Sequence, residues 1–327
     1  MREKLRVKVF VCLLTLFGFL AGAEARTIHV AVPTLSMVVI AFTAAKEKGY
    51  YREEDLDVNL VVMRDTLGVS ALIGGNVDFA TMSGAGLTAI IGGVPLRFLF
   101  STFFRPMFWI YARPELQDIK ALKGKRIGVT GLGSGPDNLL REILRRNGIE
   151  GGRDAVILAL GLPATVATAL RSGAVDAATV TPPFNFAVKD AGFRELVSFL
   201  KEDFVELQGS ILANEKLLQS EPALVEKFVR GSLKGLRYAR ENRAGTIPIL
   251  VRYMKIKEDL AGQYYDLVRP VMTADGTASV ELQKKILDQA LKVLVPKDSP
   301  AAEKIFNYSL TRKVHAELQG AGWKPGK

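Results

Sequence analysis

The run Gly131-Leu132-Gly133-Ser134-Gly135, followed by Asp137, is the stretch whose residue types and spacing speak most directly to chemistry. It follows a short apolar segment, Arg126 to Thr130, and precedes Leu139, Leu140, Ile143 and Leu144, which recur at helical spacing. A strand, a glycine turn and a helix start in that order leave backbone N–H groups free at the positive end of a helix dipole, a setting that suits an anionic or polar group. Ser134 stands three residues before Asp137, the spacing of a helix cap. A dinucleotide loop is a poorer reading: G-x-G-x-x-G would need glycine where Pro136 stands, and Glu150 and Asp154 do not clearly end a second strand.

Other chemistry-bearing residues are sparse. The two histidines, His29 and His315, fall in an apolar strand-like run and near the C-terminus, so no Ser/His/Asp set is suggested. With one cysteine in the chain, a built transition-metal site is not expected, and no cofactor is. Asp78 and Asp176 repeat in matched contexts and read as local backbone ligands, one in each half. Arg105, between Phe104 and Pro106, either pairs with an anionic ligand or is an exposed loop arginine. Phe184, behind Thr181-Pro182-Pro183, either walls a cleft or packs in a core.

The elements that must position these residues sit in a chain of 327 residues, 48% hydrophobic and 24% charged, enough for one large or two medium cores. Arg2, Lys4, Arg6 and Lys8 precede the apolar run Val9 to Leu20 and the small residues of Ala23-Glu24-Ala25, the layout of a cleaved export signal over residues 1–25. The apolar run is too short to span a bilayer. Cys12, the only cysteine, lies inside it and not behind small residues, so lipidation is not expected, and the exported chain has no thiol. Formal net charge is +10, or +8 once the four basic and two acidic residues of 1–25 are set aside. That balance favours anions in encounter, but the basic residues are scattered without interleaved aromatics, which argues against nucleic acid.

Read in order, the chain alternates strand and helix. Strands are expected at Ile28 to Val32, Asp57 to Met63, Val77 to Met82 and Leu96 to Thr102, with helices at Ser36 to Lys48, Thr66 to Ile73 and up to about Ile91. Ala71 to Ser83 returns as Ala169 to Thr181 with seven identities in thirteen positions at an offset of 98, and the flanking elements keep step. Two β-α-β-α-β units of similar layout follow. If their carboxyl edges face one another, four turns converge on a cleft: Thr34 to Ser36, Ser83 to Gly86, Gly131 to Gly135 and Thr181 to Phe184. Met107 to Ala112 and Leu207 to Asn214 read as two strands crossing between lobes, a hinge, and helices after Lys216 should pack on the first lobe.

The order of Ala44-Ala45-Lys46-Glu47-Lys48-Gly49-Tyr50-Tyr51, Gly75-x-Val77-Asp78-x-Ala80, Leu122-Lys123-Gly124-Lys125-x-Ile127-Gly128-Val129, Gly133-Ser134 and Gly173-x-Val175-Asp176-Ala177-Ala178 with Pro183-Phe184 resembles the solute-binding proteins of nitrate/sulfonate/taurine-type ABC importers. Related members bind thiamine-pyrimidine precursors. The resemblance spans nearly the whole chain after the signal. It implies an α/β, two-lobed periplasmic-binding-protein (type II) clamshell, each lobe a mostly parallel sheet flanked by helices. It also implies ligand contacts from Thr34, Leu35, Ser36, Ser83, Gly84, Gly133, Ser134, Thr181 and Pro182. The chain departs from the family in carrying Thr181-Pro182-Pro183-Phe184 where a Trp-Glu-Pro-Phe run is common, and in a first turn, Pro33-Thr34-Leu35-Ser36, without an aromatic.

Together these observations predict residues 26–108 and 209–327 as lobe one and 109–208 as lobe two. The expected protein is a periplasmic monomer that captures a small, anionic organic ligand and hands it to the membrane permease of an ABC importer. Gly135, Arg105 and Phe184 join the resemblance-derived positions as candidate contacts. Two other readings stand beside it: a two-lobe biosynthetic enzyme on the same scaffold, against which the export signal counts, and a ligand sensor docking with a membrane receptor.

Overall fold

The computed structural model describes residues 25–292, 294 and 300–326. The export signal and Cys12 therefore lie outside the described residues, apart from Ala25. The first half runs β1 (Arg26–Val32), α1 (Ile40–Glu47), β2 (Leu56–Val62), α2 (Asp65–Ile73), β3 (Phe79–Ala80), α3 (Ser83–Ile91) and β4 (Leu96–Phe103). The second runs β5 (Trp109–Ala112), β6 (Arg126–Val129), α4 (Gly135–Arg146), β7 (Val156–Ala159), α5 (Pro163–Arg171), β8 (Ala177–Val180), α6 (Phe184–Asp190) and β9 (Arg194–Ser198). The chain then returns through β10 (Gln208–Asn214) and ends in α7 (Glu215–Ser220), α8 (Pro222–Glu241), α9 (Arg243–Met254), α10 (Glu258–Val268), α11 (Val280–Leu291) and α12 (Ser309–Gly320).

Two five-stranded mixed sheets result, ordered β2-β1-β3-β10-β4 and β7-β6-β8-β5-β9. In each, four strands run in the same direction and one is reversed: β10 pairs antiparallel with β3 and β4, and β5 with β8 and β9. The two sheets thus share one topology, each completed by a strand from the stretch that crosses between them. The repeated acids hold matching places. Asp78 Oδ2 accepts from the His29 amide at 2.8 Å, and Asp176 Oδ2 from the Arg126 amide at 2.9 Å, each tying the entry of the third strand of its unit to the backbone of the first. This is the local backbone role their positions predicted.

The helices after β10 pack on the first sheet, as expected from sequence. Phe228 of α8 stacks on Phe79 of β3 with ring centroids 4.2 Å apart and on Tyr51 at 5.4 Å. All three are buried, and aromatic burial of this kind contributes several kcal/mol per ring. Tyr264 of α10 reaches across to Phe186 of α6 in the second half.

The stretch Ser83 to Gly86 is not the turn that its two glycines suggested; it is the first turn of α3. Its glycines serve close packing instead. A Cβ on Gly84 would come within 2.1 Å of the Gly135 amide nitrogen in the opposite lobe, and one on Gly86 within 2.5 Å of Leu212. The starts of α3 and α4 abut because neither carries a side chain at the point of contact.

Candidate functional site

A cavity of about 60 Å³ lies between the two sheets at their carboxyl edges. The first lobe contributes Thr34, Asp65, Thr81, Ser83 and Gly84; the second contributes Phe108, Thr130, Gly135, Pro163 and Thr181; the returning segment adds Glu206, Leu207, Gln208 and Gly209. A smaller adjoining space of about 40 Å³ shares Ser83, Gly84, Glu206 and Leu207 and extends to Asn138, Glu142 and Gln289.

The lobes are clasped over this space by side chains from both. Thr130 Oγ1, after β6, donates to Asp65 Oδ2 at the start of α2 at 2.9 Å. Thr88 Oγ1, on α3, donates to the Gly133 carbonyl at 3.0 Å, and Asn138 Nδ2 of α4 donates to Thr88 Oγ1 at 3.4 Å. The described conformation is closed. Each clasp is a single net hydrogen bond, on the order of 1 kcal/mol.

Two carboxyl groups dominate the lining. Burial pushes the Asp65 carboxyl above its ordinary range, an effect offset in part by the Thr130 bond. Glu206 is pushed up to about 8, first by burial and then by the nearby Asp65 charge, while Gln208 Nε2, donating at 2.7 Å, pulls the other way. Both residues are half-buried and belong to the cavity lining. Glu206 also lies against the start of α4: a Cβ on Gly135 would meet its Oε1 at 1.9 Å. The space that sequence reading reserved for a ligand anion at this helix start is thus faced by the protein's own carboxyl. Among the described residues, no lysine or arginine lines the cavity. The anionic ligand expected from converging amides and net charge is therefore not favoured by the lining.

Thr81 and Thr181 also line the cavity, and their hydroxyls are buried without a hydrogen-bond partner. Leaving such a group unpaired costs on the order of 1–3 kcal/mol, which a polar ligand would relieve. Ser83 is already engaged, donating to Ser210 Oγ at 3.1 Å.

Of the twelve positions singled out from sequence, Thr34, Ser83, Gly84, Gly135 and Thr181 line the cavity. The other seven stand outside it. Leu35 packs on the main core, and Ser36 is buried at the head of the helical turn Met37–Val39. Gly133 supplies the carbonyl that clasps the lobes. Ser134 does not cap α4; its Oγ donates back to the Gly131 carbonyl at 2.6 Å, and Asp137 takes the Gly133 amide instead, at 2.8 Å. Arg105 donates through Nη1 to the carbonyls of Glu202 and Phe204, at 3.0 and 3.5 Å, bracing the loop, and does not line the cavity. Pro182 is absent from the lining, and Phe184 packs against the core, the second of its two sequence readings.

Sequence reading missed Asp65, Thr130 and Glu206. Asp65 was passed over beside the helix it opens, and Thr130 as the end of a strand. Glu206 sits alone in the irregular stretch between β9 and β10, with no periodic pattern to mark it.

No curated protein matches the sequence. Among solved structures, the alkanesulfonate-binding protein SsuA from Xanthomonas axonopodis pv. citri, bound to MOPS, is 22% identical, with a TM-score of 0.70 over 88% of this chain and 100% of that one. The periplasmic nitrate-binding protein NrtA from Synechocystis PCC 6803 is 14% identical, with a TM-score of 0.75 over 93% of this chain and 92% of that one. The desulfurization enzyme DSZB is 14% identical, with a TM-score of 0.64 over 89% of this chain and 99% of that one. At these identities the likeness is one of fold, shared by two binding proteins and an enzyme. A family model spanning residues 36–244, most of both lobes, decides membership: the chain belongs to the NMT1/THI5 like family.

Proposed function

We propose that this protein is the extracytoplasmic solute-binding component of an ABC importer, closing its two lobes over one small organic solute and delivering it to a membrane permease. The observation that carries this reading is the interlobe cavity itself: small, closed by contacts between lobes, and lined by hydroxyls that lack partners. Family membership, the folds of the sulfonate- and nitrate-binding proteins and the export signal read from residues 1–25 support it. In the free chain, open and closed forms exchange, and a solute favours the closed one through contacts made only there. Thr34, Thr81 and Thr181, one from the first sheet's first turn and two from the ends of β3 and β8, provide those contacts.

The enzyme on the same fold makes turnover the counter-test. Chain 26–327 is incubated with a dialysable small-molecule extract, freed of excess, and denatured; mass spectrometry then reads what is released. The proposal expects one compound, chemically unchanged, at up to one per chain, and cell fractionation placing the native chain outside the cytoplasmic membrane. A product that accumulates with time, or a chain retained in the cytoplasm with residues 1–25 intact, would overturn it.

A further inference from the structure

We infer that the solute is a small organic cation bearing N–H groups, held between the carboxyl groups of Asp65 and Glu206. This names the ligand class of the site proposed above and rests on that reading. Asp65 comes from the start of α2 and Glu206 from the segment returning to β10, so the two acids approach the cavity from different elements. They are its only charged lining residues among those described. Arg64, beside Asp65, runs along Gly161 at the outer rim, away from this lining. In the adjoining space Glu142 is already paired with Arg145 at 2.9 Å and Arg146 at 2.9 Å.

The independent observation is the pair of unpartnered, buried hydroxyls of Thr81 and Thr181, one from each lobe, in the same cavity lining. A hydroxyl can accept an N–H bond as readily as it can donate, and two acids with two free hydroxyls make a lining rich in acceptors. An anion entering the cavity would meet two like charges, or two acids that must stay protonated. A cation meets the opposite: its charge favours the ionised form of Glu206, which burial first and the Asp65 charge second hold protonated up to about pH 8. Its entry releases a proton from Glu206, and one positive charge replaces another. The groups facing Glu206 are Asp65 from α2, the Gln208 amide from β10 and the backbone of Gly135 at the head of α4; none is basic. The sign follows: affinity for a cation rises as pH rises toward about 8 and then levels off, whereas affinity for an anion falls over the same range.

Isothermal titration calorimetry of chain 26–327 tests this with methylammonium and guanidinium on one side and methanesulfonate and nitrate on the other, each small enough for the cavity. At least one cation is expected to bind, several-fold to tenfold more tightly per pH unit between about pH 6 and 8, with proton release seen as a buffer-dependent heat. Glu206→Gln should weaken it at least tenfold and abolish the pH dependence; Asp65→Asn, measured in parallel, should weaken it also. Binding of an anion but of neither cation, or an affinity that falls as pH rises, overturns the assignment, as does a lack of binding by both cations. A chain that binds neither set but still closes on a small-molecule extract loses the cation assignment alone; one that closes on nothing loses the solute-binding reading too.

Discussion

Glu206→Gln is the substitution in which the electrostatics of the cleft becomes a measurable stability. Glu206 holds its proton to about 8 in the folded chain against an ordinary value of 4.5. Its folded-state pKa is raised, so its contribution to stability is intact below the ordinary value and is lost as pH climbs through the folded one. Between pH 5 and 8 the loss accumulates at about 1.4 kcal/mol per pH unit, on the order of 4 kcal/mol in all. Water entering through the cleft mouth and opening of the lobes should cut this to roughly 2–4 kcal/mol. The amide keeps the shape of the side chain and an oxygen for Gln208 Nε2, but it never ionises. Chemical denaturation of the ligand-free variant and of the parent, at a series of pH values, reads the difference directly. The two should be nearly equal in stability at about pH 5, with the variant ahead by a margin that grows to pH 8. A margin independent of pH, or a parent more stable at pH 8, would refute a protonated Glu206 in the closed cleft.

Three further substitutions separate the roles assigned above. Gly84→Ala places a methyl against the Gly135 backbone, so it should block closure while sparing each lobe: solution scattering is expected to show an expanded chain that no solute compacts, with little change in the melting of either lobe. Ser134→Ala removes a buried bond to the Gly131 carbonyl outside the cavity and should cost about 1–2 kcal/mol in denaturation while leaving solute affinity within about twofold. Asp176→Ala removes the acceptor for the Arg126 amide and the partner of the Arg126 and Arg113 guanidinium groups. Burial works to raise the Asp176 pKa, but Arg126 outweighs it and the net direction is down. The stabilisation it gives is therefore present at neutral pH and fades as pH falls into the acid range; the variant should unfold about 1–3 kcal/mol more easily at pH 7, and the gap should narrow under acid.

Much of the fold was legible because it rests on local signals repeated twice. The Gly-x-Val-Asp segments, the glycines that end helices and the apolar strand cores give the same β-α-β-α-β phrase in each half, and the two sheets have one topology. The cleft was half legible. Thr34, Ser83, Gly84, Gly135 and Thr181 follow from placing turns at the carboxyl edges of parallel strands. What was misread depended on tertiary contacts. Gly84 and Gly86 look like turn residues, yet they are helical and small because other chain segments press on them. The Ser134-x-x-Asp137 spacing suggested a side-chain cap, but the buried hydroxyl takes a nearer carbonyl. Glu206 carries no local signature: its place depends on how the chain returns from the second sheet to the first, and that return puts an acid where the converging amides and the net charge of +8 for residues 26–327 suggest an anion site.

Closure of two lobes over a solute shortens the distance across the cleft mouth. Leu67 and Leu162 are exposed on opposite lips of the cleft, and residues 26–327 contain no native cysteine to interfere. Spin labels attached through Leu67→Cys and Leu162→Cys should give, by pulsed electron resonance, a distribution with a long and a short component in the free chain. Addition of a bound cation or of the dialysable extract should shift the population to the short component, and dialysis should restore the long one. A single distance that no small molecule moves would contradict the account.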